Sequence, residues 1–172
     1  MKTQIRIIAI AMLLIGISIS SFAQNGVSAT ANGSANVLIP IAITKSADMN
    51  FGNLAVSQTS GTIVLGTNGT RTNTGGVTLP SVSGTVSAAS FTVTGEPSFT
   101  YGIILPSAIT LNSTGGDHMT VNTFVSNPSG IGTLSSGGTQ TLNVGATLNV
   151  NFPQGAGIYT NSSDLTVWVN YN

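Results

Sequence analysis

The sequence predicts an all-β fold, a single antiparallel β-sandwich. Apolar and polar residues alternate with a period of two along several segments, which is the periodicity of strands. Glycine, proline and asparagine separate these segments, as expected of turns. After residue 23, no segment keeps an apolar pattern at helical period over three turns. Short strands joined by turns indicate a sandwich or barrel of about eight to ten strands.

Residues 1–23 have the three parts of a cleaved signal helix. Lys2 and Arg6 form a basic start, residues 7–19 are apolar, and Ser21-Phe22-Ala23 is a small-x-small cleavage site. The apolar part is shorter than the ~20 residues of a typical spanning helix, and no later stretch reaches that length. We therefore expect an exported protein without a membrane span, in the periplasm, at the cell surface or outside the cell.

The most regular alternation begins directly behind this signal. Every odd position from Val27 to Ile43 is apolar or glycine. Because these seventeen residues would extend over roughly 55 Å, about three times an ordinary strand, we expect breaks near Gly33 and Pro40. The breaks separate an N-terminal arm, residues 24–35, from a sandwich domain, residues 36–172, whose first strand covers about 36–44. The candidate residues for donating a strand to a groove are Val27, Ala29, Ala31, Gly33, Ala35 and Val37.

Further strands follow in order along the chain. They are expected at 48–54, 61–65, 77–79, 89–95, 101–105, 119–125, 142–152 and 165–171, with a glycine-rich loop over 66–76. The longest of them places six apolar residues on one face: Leu142, Val144, Ala146, Leu148, Val150 and Phe152. Since its other face is polar, it fits an antiparallel sheet with one side in water.

The last strand supplies two further candidate sites. Its apolar face is a candidate groove for the arm, or lies next to that groove, and consists of Leu165, Val167, Val169 and Tyr171. Trp168, the sole tryptophan, lies on the opposite face. If that face is in water, Trp168 can stack on a glycan or pack against a partner, and if it is covered, Trp168 belongs to the core.

The few charged residues exclude several functions. Behind the signal, two basic residues, Lys45 and Arg71, stand against four acids, a formal net charge of 2 − 4 = −2. Two basic residues cannot supply the phosphate contacts that nucleic-acid binding needs. Cysteine is absent, so thiol catalysis and thiolate metal sites are excluded.

The sequence shows no catalytic, cofactor-binding or metal-binding group of residues, and we expect a protein that is not an enzyme. The four acids Asp48, Glu96, Asp117 and Asp164 lie in separate turns, and His118 is the only histidine. No Gly-x-Ser-x-Gly nucleophile elbow occurs. Asn-rich loops offer oxygen ligands for calcium, but without the spacing of a calcium-binding loop.

Both ends of the chain resemble the subunits of chaperone–usher pili. The arm from Val27 to Ala35 is similar to a pilin donor strand, and Gly157-Ile158-Tyr159 with the segment from Leu165 to Asn172 is similar to the pilin C-terminal strand. The resemblance implies an immunoglobulin-like or pilin-like sandwich that lacks a strand, which the arm of the next subunit supplies. It extends to the spore-coat-U-like secreted proteins, which usually carry a disulfide that this chain lacks.

A resemblance to the bacterial domain-of-unknown-function family 4402 covers most of the exported chain. It rests on seven motifs: Phe51-Gly52, Gly69-Thr70-Arg71, Gly75-Gly76-Val77-Thr78-Leu79, Phe91 to Pro97, Tyr101 to Pro106, Val144 to Leu148 and Gly157-Ile158-Tyr159. The resemblance implies an exported all-β domain. We expect a non-enzymatic cell-envelope or surface protein, such as a fibre subunit or adhesin-like protein, that pairs with itself or other surface subunits by strand addition. Pairing of the arm within one molecule and a glycan-binding module are the alternatives.

Overall fold

A computed structural model describes residues 26–161 and 165–172 of the chain. The predicted signal peptide and Asp164 lie outside these residues. Contacts within the chain define two units, Met1–Asn36 and Val37–Asn172. In the described residues all helical or strand structure is strand, and the eleven strands belong to the second unit: β1 Ala42–Ala47, β2 Ala55–Leu65, β3 Arg71–Thr78, β4 Ala89–Thr94, β5 Thr100–Ile104, β6 Ala108–Ser113, β7 His118–Asn127, β8 Ile131–Thr133, β9 Thr139–Val150, β10 Tyr159–Thr160 and β11 Trp168–Tyr171.

The strands form two antiparallel sheets, which confirms the predicted fold class. The large sheet has the order β1-β4-β9-β7-β6-β10, and β2 pairs with both β9 and β3. The small sheet has the order β11-β5-β8. Strand β9 is the centre of the large sheet, since β7 lies along one edge while β4 and β2 share the other.

The core consists of two clusters of buried side chains. One joins both sheets, because Val93 and Leu142 of the large sheet pack with Tyr101 of the small sheet. The other lies on the large sheet around Ile63 and Leu148, and segments between strands cover it in place of the small sheet. The small sheet thus completes the sandwich over one half of the large sheet.

Strand β9 follows its predicted alternation closely. Five of the six apolar residues predicted for one face are buried, from Leu142 to Val150. The sixth, Phe152, follows the end of the strand and is about half exposed. Proline ends the ladder here, since Pro153 has no N–H to donate to a neighbouring strand.

Strand β1 begins at Ala42, later than the predicted start at residue 36. Just before it, the backbone N–H and carbonyl of Ile39 form hydrogen bonds with side chains instead of with a neighbouring strand. The N–H of Ile39 donates to Glu96 Oε2 at 2.9 Å, and its carbonyl accepts from the Tyr171 hydroxyl at 2.7 Å. Because Pro40 also lacks an N–H, the ladder with β4 starts only beyond it.

Three strands, β6, β8 and β10, lie where the sequence predicts no strand, and β3 begins inside a predicted loop. Strand β3 occupies residues 71–78, so the strand predicted at 77–79 begins earlier, within the glycine-rich stretch over 66–76, and Gly75 has a φ of 64° there. This left-handed residue lies opposite an irregularity of β2, as in a β-bulge. Strand β6, which the sequence does not predict, turns only Ile109 and Leu111 toward the core.

Tyr101 gives the sandwich a pH dependence that can be measured. Its ring is fully buried, and its hydroxyl donates to Gln140 Oε1 at 2.7 Å. Burial raises the pKa of the phenol above its ordinary value of 10.0. The unfolded chain therefore loses this proton first, and the contribution of Tyr101 to stability is present below about pH 10 and is lost as the pH rises through the folded pKa.

We expect Tyr101→Phe to lower the free energy of unfolding by about 1 kcal/mol at neutral pH, because one buried hydrogen bond is lost. The difference from the unaltered protein should shrink above about pH 10, since phenylalanine does not titrate. Urea unfolding of both proteins at neutral and alkaline pH measures this. Both keep Tyr159 and Tyr171, so a difference that stays constant with pH would contradict the role of the buried phenol.

Candidate functional site

The N-terminal arm is exposed along its described length. Every residue from 26 to 37 is exposed, with 98% of Val27 and 93% of Val37 accessible. No strand is assigned to these residues, although their apolar and polar side chains alternate. The arm therefore combines an alternating sequence with exposure, and it has no strand partner in the described part of the molecule.

The apolar face of the last strand is divided between the core and a cavity. Val167 is buried, and Val169 and Tyr171 pack against the core cluster that joins the sheets. Leu165 packs against both core clusters and also lines the cavity described next. Strand β11 pairs with β5 only, so its other edge is the edge of the small sheet.

A cleft of about 440 Å³ opens over the half of the large sheet that the small sheet leaves uncovered. Its floor consists of apolar side chains of β6, β7 and β9: Ile109, Leu111, Met119, Val121 and Leu148. One wall is the segment 48–53, and the other comprises residues 157–161 and Leu165. Since buried core residues line it, this cleft is a gap in the second layer of the sandwich.

Arg71 holds the first wall of the cleft. Its guanidinium donates to the carbonyls of Phe51 and Asn53, the latter at 2.7 Å, and to the carbonyl of Ser83 at 3.4 Å. Phe51, Gly52 and Asn53 all line the cleft. A guanidinium has five N–H donors in a fixed plane, so one side chain can fix several carbonyls of a segment that has no ladder of its own.

The second wall is held by the turn between β6 and β7. Asp117 Oδ2 accepts from the N–H of Gly155 at 3.1 Å. The Tyr159 hydroxyl donates to the Gly155 carbonyl at 2.6 Å and accepts from Gln154 Nε2 at 2.9 Å. These bonds close the loop that brings Ile158, which is 81% exposed, to the rim of the cleft.

The outer face of the small sheet carries a second exposed apolar surface, called here the Trp168 face. It consists of Thr100, Gly102, Ile104, Ile131, Thr133, Trp168 and Asn170, which alternate with the inward residues of β5, β8 and β11. The structure thus places Trp168 in water, 52% exposed. Trp168 is therefore not a core residue, which was the other possibility that the sequence left open.

The described acids serve structure and are spread over the domain. Asp48 pairs with Lys45 at 2.6 Å, Glu96 binds the N–H of Ile39, and Asp117 binds the N–H of Gly155. Within residues 26–161 and 165–172, no three His, Cys, Asp or Glu side chains lie close enough to hold a metal ion. In those residues there is also no helix long and apolar enough to cross a membrane.

Sequence reasoning did not identify the cleft or the role of Arg71. The cleft depends on how far the small sheet extends over the large one, which alternation along single strands does not report. Arg71 donates hydrogen bonds to backbone carbonyls. Because every residue has a carbonyl, the sequence does not show which carbonyls a side chain will bind. The available signal was the rarity of Arg71, one of two basic residues behind the predicted signal.

Two antiparallel sheets, a gap in one layer and an exposed alternating arm define a β-sandwich domain with an open second layer. A family model described as a domain of unknown function (DUF4402) matches residues 41–171. The chain therefore belongs to this family, as the sequence resemblance predicted. No curated protein and no solved structure matches significantly. The resemblance to pilins stays a prediction.

Proposed function

We propose that this protein is an exported, non-enzymatic structural subunit of the bacterial envelope that joins to further copies by strand addition. The observation that carries the proposal is the arm, an alternating segment that is exposed and belongs to no strand of the described chain. An extended segment of this kind binds by adding a strand to another sheet, where main-chain hydrogen bonds provide most of the affinity.

The cleft is the acceptor that fits the arm best. Its floor consists of core side chains, four of which are at most 8% exposed, while the arm offers an apolar row whose side chains are no larger than valine. From Val27 to Val37 the arm would extend over roughly 35 Å, the length of a long core strand. Small side chains suit a narrow cleft. Because the floor is already largely buried, the stabilisation would come from burial of the arm's own side chains and from main-chain hydrogen bonds.

Charge is consistent with this pairing. The arm from residue 26 to residue 37 has no charged side chain, and Asp48 is the one charged residue that lines the cleft. Electrostatic attraction thus contributes little, and the apolar register of the arm selects its partner. The same property gives a sharp test, since a charge placed in that register should prevent insertion.

We expect the chain from Gln24 to form oligomers that disappear when residues 24–35 are deleted. Ala31→Asp with Ala35→Asp should disrupt assembly as strongly as the deletion, because two carboxylates would face the apolar floor. The matched control, Asn32→Asp with Ser34→Asp, adds the same charge on the polar side and should keep the oligomers. Sedimentation velocity over a range of concentrations measures all four proteins.

The acceptor is tested separately with a labelled peptide of residues 26–38. It should bind the arm-deleted protein, and Thr85→Trp, which places a large ring at the mouth of the cleft, should block binding. Thr72→Trp, at an exposed position of β3, is the control and should bind normally. Unchanged oligomers after the deletion would refute the donor role of the arm, whereas peptide binding that survives Thr85→Trp would refute the cleft alone.

A further inference from the structure

We propose that the Trp168 face is a binding site for an uncharged carbohydrate. Its centre is a shallow depression. Trp168 pairs in register with Ile104, while Gly102 lies between Asn170 on one side and Ile131 on the other. Because Gly102 has no side chain, the side chains around it form a rim over its backbone, and the Asn172 side chain lies beside it.

The glycine is not required by the backbone at this place. Gly102 lies in the ordinary strand region, and an added Cβ would come within 3.4 Å only of the flexible Asn172 Oδ1, at 3.3 Å. Other glycines of the fold, such as Gly76, would place a Cβ 2.0 Å from a backbone oxygen. The depression is thus a property of the surface that packing within the chain does not explain.

The chemistry around the depression suits a neutral sugar. Three apolar side chains are largely exposed there, Trp168 by 52%, Ile104 by 54% and Ile131 by 61%. The side-chain amides of Asn170 and Asn172 make no hydrogen bond to the rest of the described chain. A flat aromatic ring packs on the C–H face of a sugar ring, and amides can both donate to and accept from its hydroxyls.

Charge and area argue against other partners. None of the outward residues of this face is charged, so it offers no ionic partner to phosphates or acidic polymers. The face has seven outward residues on three short strands. A stable contact with a second copy needs about 800 Å², or about 20–30 residues, on each partner. One or two sugar rings match the smaller area.

The single tryptophan allows a direct test on the full exported chain. Because Trp168 is the only tryptophan, its fluorescence reports on this face alone. We expect at least one of a set of soluble neutral polysaccharides, a β-1,3-glucan, a β-1,4-mannan and dextran, to shift the emission and protect it from acrylamide. Alginate, which is acidic, should have no effect. The proposal fails if none of the neutral polymers changes the emission.

Variants separate this site from nonspecific adhesion. In affinity electrophoresis against the polysaccharide that binds, Trp168→Ala should bind about tenfold more weakly or worse. Phe152→Ala is the matched control, since Phe152 is an aromatic residue with 51% exposure outside this face. Gly102→Val, which fills the depression and keeps the fluorophore, should also weaken binding.

Equal binding by Trp168→Ala and the unaltered protein would overturn the proposal. A dimer that Trp168→Ala abolishes would also overturn it, because the face would then serve a second copy. The Trp168 and Gly102 variants leave the arm unchanged, and the arm variants leave the Trp168 face unchanged. Loss of assembly and loss of carbohydrate binding are therefore distinguishable in the same preparation.

Discussion

Arg71→Ala is expected to lower the free energy of unfolding by about 3 kcal/mol, because the side chain binds backbone carbonyls. The guanidinium donates to three carbonyls, and hydrogen bonds to charged groups contribute about 1.5–3 kcal/mol each. The alanine variant leaves the carbonyls of Phe51, Asn53 and Ser83 without that donor. Chemical denaturation of the arm-deleted protein, which removes oligomerisation from the measurement, gives the change directly.

The effect should extend to the acceptor. Phe51 and Asn53 form part of one wall of the cleft. If Arg71→Ala frees this wall, binding of the arm peptide should weaken together with the stability of the fold. Arg71→Lys should give an intermediate result, since an ammonium keeps the charge but lacks the planar set of donors. Lys45→Ala is the matched control, because Lys45 is the other described basic residue and its ion pair is exposed.

The control should change stability by less than about 0.5 kcal/mol, as exposed ion pairs contribute little. If Arg71→Ala changes the unfolding free energy no more than Lys45→Ala, the three carbonyl contacts do not stabilise the wall. An Arg71→Ala protein that loses stability but binds the peptide normally would show that the wall holds its shape without this residue.

Local alternation determined what could be predicted from the sequence. The faces of β9 and β11 follow from the parity of Leu142 to Val150 and of Val167 to Tyr171, since neighbouring residues of a strand must point to opposite sides. Parity also placed Trp168 opposite Val167 and Val169. Whether that side was in water depended on the stacking of the sheets, which no strand records by itself.

Much of what the sequence did not predict depends on side chains that bind backbone groups in place of a neighbouring strand. The alternation before β1 continues through Ile39 and Ile41, yet the ladder begins at Ala42 because the Ile39 backbone bonds to the Glu96 and Tyr171 side chains. These partners lie 57 and 132 residues away. The candidate site has the same origin, since distant segments form both walls of the cleft, and only the donor arm is visible as a continuous pattern.

The second large effect is expected at Gly145, in the middle of β9. On one edge of β9, Val144 is opposite Ala89 of β4, and Ala146 is opposite Leu65 of β2. Gly145 therefore lies where one neighbouring strand ends and the next begins. The chain leaves β2 directly over it, and an added Cβ would lie 2.2 Å from the carbonyl oxygen of Leu65 and 3.0 Å from the nitrogen of Thr67.

Gly145→Ala should destabilise the protein by about 3 kcal/mol, because the groups in the way are backbone and cannot rotate aside. The end of β2 and the residues that follow it must move away from the central strand, so the loss should appear mainly in the core cluster around Ile63 and Leu148. Hydrogen exchange read by mass spectrometry, together with urea unfolding, would report weaker protection in β2 and in its partner β3. Protection in β5 and β8 of the small sheet should change least.

The control is Gly137→Ala, in the turn before β9, where the nearest atom to an added Cβ is Ser135 Oγ at 3.7 Å. Its φ is not in the left-handed region, so alanine should be tolerated, with a gain of up to about 1 kcal/mol from the reduced freedom of the unfolded chain. The two positions are eight residues apart. Changes of opposite sign in the free energy of unfolding would show that the loss at Gly145 comes from the backbone of residues 65–67, which lies over it. Equal, small changes at both positions would mean that β2 leaves the sheet without passing over β9, and the division of one edge between β4 and β2 would then be wrong.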